Sequence, residues 1–182
     1  MNREQFVTQL KTIATDLFTE LNKENEIYQF GVYTDSDAAT ISLCYNTYKN
    51  FADNLRRSFL VVRTIATYAR WDMSSWIEIE EGEEKLDDLN LFLEDNEVID
   101  KEEIYDWMFQ ALKEMKEENV FRETEDDFIL NLHVSDEYID QRMCERLLVL
   151  LGESKLQEFR KDMEGRGLTH DAILFLDAIK IA

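Results

Sequence analysis

Tyr28-Gln29-Phe30-Gly31-Val32-Tyr33-Thr34-Asp35-Ser36-Asp37-Ala38-Ala39-Thr40-Ile41-Ser42-Leu43-Cys44-Tyr45 is the stretch whose reading decides the fold. Tyr28, Phe30 and Val32 alternate with Gln29, Gly31 and Tyr33, a period of two that predicts a strand over 26–34. Asp35-Ser36-Asp37 is turn chemistry, because short polar side chains bond back to the nearby backbone. A second alternation over 39–45 sets Ile41, Leu43 and Tyr45 against Thr40, Ser42 and Cys44. Two strands joined by so short a link predict a hairpin.

Outward from the hairpin the period changes. Phe6, Leu10, Ile13, Leu17 and Leu21 share one face of a helix expected over 3–23, and Asn2 with Gln5 matches a capping box. A second helix is expected over 48–69, with Phe51, Leu55, Phe59, Val62 and Ala66 as its stripe and Asn46 or Thr47 as its cap. Asp72 to Ser75 break it, and a new element begins at Trp76-Ile77. A short helix follows over 85–94, through Leu86, Leu89 and Leu93. A longer one covers 101–118, through Ile104, Trp107 or Met108, Ala111 and Met115, with Asp100 and Glu103 as its capping box. Phe128, Leu130, Leu132 and Val134 alternate with Ile129, Asn131 and His133, which predicts a third strand pairing with the hairpin. Ser135 or Asp136 should cap a helix ending at Gly152, and helices over 153–164 and 170–180 complete the chain. The expected fold is a single α+β domain over 1–182, with a small, mainly antiparallel sheet of about three or more strands covered by several helices.

Composition agrees with one domain. The chain has 182 residues, 45% of them hydrophobic, five glycines and no proline, where average usage of about 5% would give roughly nine. No stretch reads as a linker or repeat. The first residues carry no apolar signal segment, and no apolar run approaches the ~18 residues of a membrane span. The expectation is a cytoplasmic protein that does not enter a membrane. Cys44 and Cys144 then read as reduced, buried thiols.

The charge is uneven. Forty acids against 20 bases give a net −20, which argues against binding nucleic acid through its phosphates. Residues 78–127 hold 21 acids and five bases, a net −16. The densest run is Glu78, Glu80, Glu81, Glu83, Glu84, Asp87 and Asp88, followed by Glu94, Asp95 and Glu97. Such a run is either a solvated face or a docking face for a basic protein. A focused negative field raises association rates by roughly 10–10³-fold. Its spacing matches no calcium loop.

Catalytic signatures are absent. There is no phosphate-binding glycine loop, no dinucleotide fingerprint and no nucleophile elbow. The two histidines, His133 and His170, do not form a zinc motif, so neither a metal nor a cofactor is expected. Asp35-x-Asp37 opens like an EF-hand, but Ala39 and Thr40 stand where a ligand and glycine belong. His133 reads as a structural histidine ahead of a base. Cys44 and Cys144 lack the local signature of a nucleophile. Arg70-Trp71 with Trp76 is the most distinctive cluster. It reads as an indole anchor beside an arginine that pairs with a carboxylate or stacks on a ring, with a ligand or partner contact as the functional alternative.

Two of these segments carry a resemblance. Phe30-Gly31-Val32-Tyr33-Thr34-Asp35 resembles the F-x-x-Y-T-D hairpin of an uncharacterised bacterial domain-of-unknown-function family. Arg70-Trp71-Asp72-Met73-Ser74-Ser75-Trp76 is similar to that family's R-W-x-x-x-x-W segment, and the match spans roughly 5–150. Tyr33, Asp35, Arg70, Trp71 and Trp76 are the matching positions. The resemblance implies a small standalone domain of a kind that includes immunity proteins of bacterial toxin systems. It supplies no catalytic residue. The leading expectation is therefore a protein-binding module that occludes a basic partner, such as a toxin, through Glu80, Glu81, Glu83, Glu84, Asp87 and Asp88. The alternatives are an enzyme or small-ligand-binding protein with a pocket near Arg70, Tyr33 and Asp35, or a structural, oligomerising module.

Overall fold

The computed structural model describes residues 1–57, 70–79, 83–96, 99–121, 127–163 and 167–179. The hairpin comprises β1, Ile27–Thr34, and β2, Ile41–Thr47, paired antiparallel from Ile27–Thr47 to Thr34–Ile41. Its turn is held by one side chain. Asp35 Oδ1 accepts from the amides of Asp37 and Ala39, its Oδ2 accepts from the Thr40 hydroxyl, and Ala38 takes a positive φ of 57°.

Two further strands complete the sheet in the order β3-β2-β1-β4. The element beginning near Trp76 is β3, Ile77–Glu78, antiparallel to β2. The predicted third strand is β4, Ile129–Val134, and it pairs with β1 in parallel. The sheet is thus mainly antiparallel with one parallel pair. At Gly31 the two parallel strands approach so closely that a Cβ would fall 2.3 Å from the Asn131 carbonyl oxygen.

Helices cover both faces, and this explains why β1 is buried along almost its whole length. One core joins Phe30, Val32, Ile41, Leu43, Leu130 and Leu132 to three helices: α1, Arg3–Leu21, α3, Asp87–Asp95, and α4, Lys101–Glu117. The other core gathers Cys44, Trp71, Met73, Trp76 and Ile129 under three helices: α5, Gln141–Leu151, α6, Glu153–Asp162, and α7, His170–Ile179. Helix α5 reaches both, giving Leu150 to the first core and Cys144 and Leu147 to the second. Lys116 of α4 ties down its last turn by donating to the carbonyls of Val149 and Leu150. A cation there meets the negative end of the helix dipole.

Several local expectations hold. Asn2 and Gln5 form the capping box of α1, and Thr47 caps α2, Tyr48–Arg57, by accepting from the Asn50 amide. The rest of that predicted helix, with Phe59, Val62 and Ala66, lies outside the described residues up to Arg70.

Three expectations are corrected. Tyr28 does not share the Phe30 face. A register shift between Ile27 and Gln29 puts Ile27 in that core and stacks Tyr28 on Tyr48, with ring centroids 4.2 Å apart. Asp100 caps α4 through the Glu102 amide, and no reciprocal bond from Glu103 completes a box. Helix α5 starts later than expected. Ser135 and Asp136 form a turn, Asp136 with φ 58°, and Asp140 is the cap, accepting from the Met143 amide.

Candidate functional site

The family-motif residues converge on the sheet face that carries the second core. Two buried amides in the sheet hold the Arg70-Trp71 backbone. Gln29 Nε2 donates to the Arg70 carbonyl at 2.6 Å, and Asn131 Nδ2 donates to the Trp71 carbonyl at 3.3 Å. Gln29 in turn accepts from Asn46 Nδ2 at 2.8 Å. Arg70 stacks on the Trp71 ring and pairs with Glu158, with Asp162 at 3.8 Å. Trp71 Nε1 also donates to Asp162. Arg70 and Trp71 thus bind α6 to the sheet. Trp76 is buried, with no partner for its indole N–H among the described residues. Tyr33 stacks on His133 across β1 and β4, and Asp35 shapes the hairpin turn.

Beside these residues lies a cavity of about 400 Å³ between the outer edge of β4 and α5. Consecutive β4 residues, Asn131 to Val134, form one wall, and Met143, Arg146 and Leu147 of α5 form another. Trp71, Asp72 and Phe159 line it as well, whereas Arg70, Tyr33 and Asp35 do not. The pocket expected near Arg70 therefore has its walls one or two residues further along the chain, and on β4 and α5.

The cavity's titratable groups have distinct environments. His133 Nε2 stands 3.8 Å from Asp72 Oδ1. Burial pushes this imidazole below its ordinary value, against the opposing pull of Asp72, so it is neutral at pH 7. Arg146 is only 5% exposed and is committed to two carboxylates. Its Nη2 pairs with Glu102 and Asp106 at 2.8 Å each, and its Nε with Asp106 at 3.1 Å. Arg142, one turn earlier, pairs with the same two acids. The thiols of Cys44 and Cys144 are each pushed up to about 12, chiefly by burial, which makes them poor nucleophiles. Among the described residues no group of three or more His, Cys, Asp or Glu side chains is placed to hold a metal ion.

The acidic run sits elsewhere, at the start of α3. Glu80 and Glu81 lie outside the described residues, and Glu83 opens a 3-10 turn that ends at Leu86. Glu84, Asp87 and Asp88 are exposed. Asn90 fixes this helix to the hairpin, since its Oδ1 accepts from the Ile41 amide at 2.7 Å and its Nδ2 donates to the Ile41 carbonyl at 3.3 Å. Asp87, Asp88, Asn90, Leu91 and Glu94 border a surface depression with Ala39 and Thr40 of the hairpin turn.

The model of a domain of unknown function, DUF4303, matches residues 8–150. The chain belongs to that family. No curated protein and no solved structure matches it. The DUF4303 match covers the whole sheet, the Arg70-Trp71 segment and nearly all of α5, whereas α6 and α7 follow it. Gln29, Asn131 and Arg146 belong to none of the motifs, although amides inside otherwise apolar strands are a signal for the first two. Among the described residues no helix is long and apolar enough to cross a membrane.

Proposed function

We propose that this protein is an acidic protein-binding module that docks onto a basic partner through the start of α3, and that the partner is a toxin which it neutralises as an immunity protein. The observation that carries the reading is the surroundings of Leu91. This leucine is 56% exposed, and Asp87, Asp88 and Glu94 stand three or four residues from it on the same helix. Several acids of other elements are matched: Glu102 and Asp106 with two arginines, Glu114 and Glu118 with Lys11, Glu137 with Lys101. Among the described residues Glu84, Asp87, Asp88, Glu94 and Asp95 make no ion pair. An apolar anchor within unmatched negative charge suits a partner whose cleft is positive, with charge setting the on-rate and Leu91 the off-rate.

The test is capture from native lysate with wash steps at about 50 and about 500 mM salt, which bracket weak and strong screening. The expected result is one basic protein, retained at low salt and weakened at high salt, whose toxicity is relieved by co-expression. Lysine replacements at Glu84, Asp87 and Asp88 should slow its association strongly at low salt. The parallel reversal of Glu80, Glu81 and Glu83 extends the same test. An unchanged association rate would reject the docking face.

A further inference from the structure

We infer that the cavity between β4 and α5 is a binding site for a small organic cation, an amine or guanidine carried on an apolar stem. It is separate from the α3 face and shares no lining residue with it. Three observations define the ligand's chemistry.

The first is charge. Asp72, Glu102, Asp136, Glu137 and Asp140 stand on the wall, against Arg146 and a neutral His133. Arg146 brings no free charge, because Glu102 and Asp106 already hold its guanidinium. Glu137 is matched by Lys101. Asp72, Asp136 and Asp140 have no cationic partner among the described residues, the neutral His133 beside Asp72 aside. An anion entering here meets uncompensated repulsion, and a cation does not.

The second is the outer edge of β4. The Ser135 amide donates to the Thr34 carbonyl, so odd-numbered residues of β4 turn their backbone groups toward β1. Leu132 therefore directs its carbonyl and amide outward, to the edge that borders the cavity. That carbonyl is an acceptor for the N–H of an ammonium or guanidinium.

The third is the apolar wall. Met143, Leu147, Phe159, Met163 and the Trp71 ring provide a surface for a hydrocarbon or aromatic stem. Tyr138, 76% exposed, stands at the rim, where a ring face favours a cation. The volume lies in the range of small-molecule sites, roughly 300–1,000 Å³.

The experiment compares three probes of matched shape on the full chain: phenethylamine, hydrocinnamate and phenethyl alcohol, by calorimetry and ligand-observed NMR at pH 7. The amine should bind, the alcohol more weakly, and the carboxylate not at all. Asp72→Asn, Asp136→Asn and Asp140→Asn together keep both caps and the turn, and should weaken the amine by about tenfold or more. Equal binding of all three probes, binding of the carboxylate alone, or no binding of the amine would overturn the proposal, and this arm needs no variant. A lysine-containing peptide then locates the source. Displacement of the amine assigns the cation to a protein side chain, and no displacement assigns it to a free small molecule. Lysine replacements at Asp87 and Asp88 should leave amine binding unchanged, which keeps a failure of the docking face distinct from a failure of this site.

Discussion

Gln29 donates to the carbonyl of Arg70 across 2.6 Å, from a side chain with no solvent exposure, and the same amide accepts from Asn46. One buried side chain thus serves both a strand partner and the segment that carries the R-W motif. Gln29→Leu would remove the side-chain donor to the Arg70 carbonyl and the acceptor of one Asn46 bond. The expected loss is about 1–3 kcal/mol, read from the urea midpoint at unchanged slope. The NMR signals of Trp71 should shift as well, because its backbone loses an anchor.

Gly31→Ala probes the closest backbone approach in the sheet. A methyl 2.3 Å from the Asn131 oxygen and 3.0 Å from Met73 Cε forces β1 and β4 apart. About 1–3 kcal/mol of destabilisation is expected, and the thermal midpoint checks it. A neutral result would show that the parallel pair can separate at no cost.

Arg146→Met tests the four-residue network between α4 and α5. Glu102 and Asp106 keep some solvent contact, so the expected cost is about 2 kcal/mol, less than for a fully buried pair. Burial raises the Asp106 carboxyl, and its bonds to Arg146 and Arg142 outweigh that, leaving it below its ordinary value. A carboxyl depressed in the folded state stabilises above its unfolded value, near 3.8, and loses that contribution as pH falls further. The wild type should therefore lose stability below about pH 4 more steeply than the variant.

His133 offers a direct titration. Its imidazole should protonate below the ordinary value of 6.5, as read by its ring-proton shifts. Burial is the dominant cause and Asp72 opposes it, so Asp72→Asn should move the titration lower still. The unfolded chain binds the proton more readily, so this group costs stability as pH falls through 6.5. A titration above 6.5 would mean that Asp72 outweighs burial.

The thiols give a fifth test. Cys44 and Cys144 are buried and strongly shifted up, so a disulfide reagent at neutral pH should modify neither in the native protein. Both should react at once in denaturant. Fast native reaction at either would expose an opening of the second core.

Much of this architecture could be read from residue periods. The alternation at Phe30 to Tyr33 and Ile41 to Tyr45 gives the hairpin because one face of each strand is apolar, and Asp35 gives its turn because a carboxylate can accept two nearby amides. The phase of Tyr28 was not legible, since a single extra residue in one strand reverses every side chain before it. Nor was the start of α5, where Ser135, Asp136 and Asp140 are all competent caps and only the path of the chain selects Asp140. The cavity has no local signature. Its walls come from segments around Trp71, Asn131, Arg146 and Phe159, which meet only after the sheet and α5 have packed.

The two borders of the sheet have a consequence for how the protein behaves at high concentration. An unguarded strand is a template on which identical chains assemble. Here one border is β3, only two residues long, and the other is β4, flanked by α5. Neither offers a long, flat ladder for a second copy. High negative charge adds mutual repulsion between molecules. The same helix that borders the cavity therefore also works against fibre-like self-association, and a substitution that loosens α5 should be seen first as aggregation rather than as unfolding.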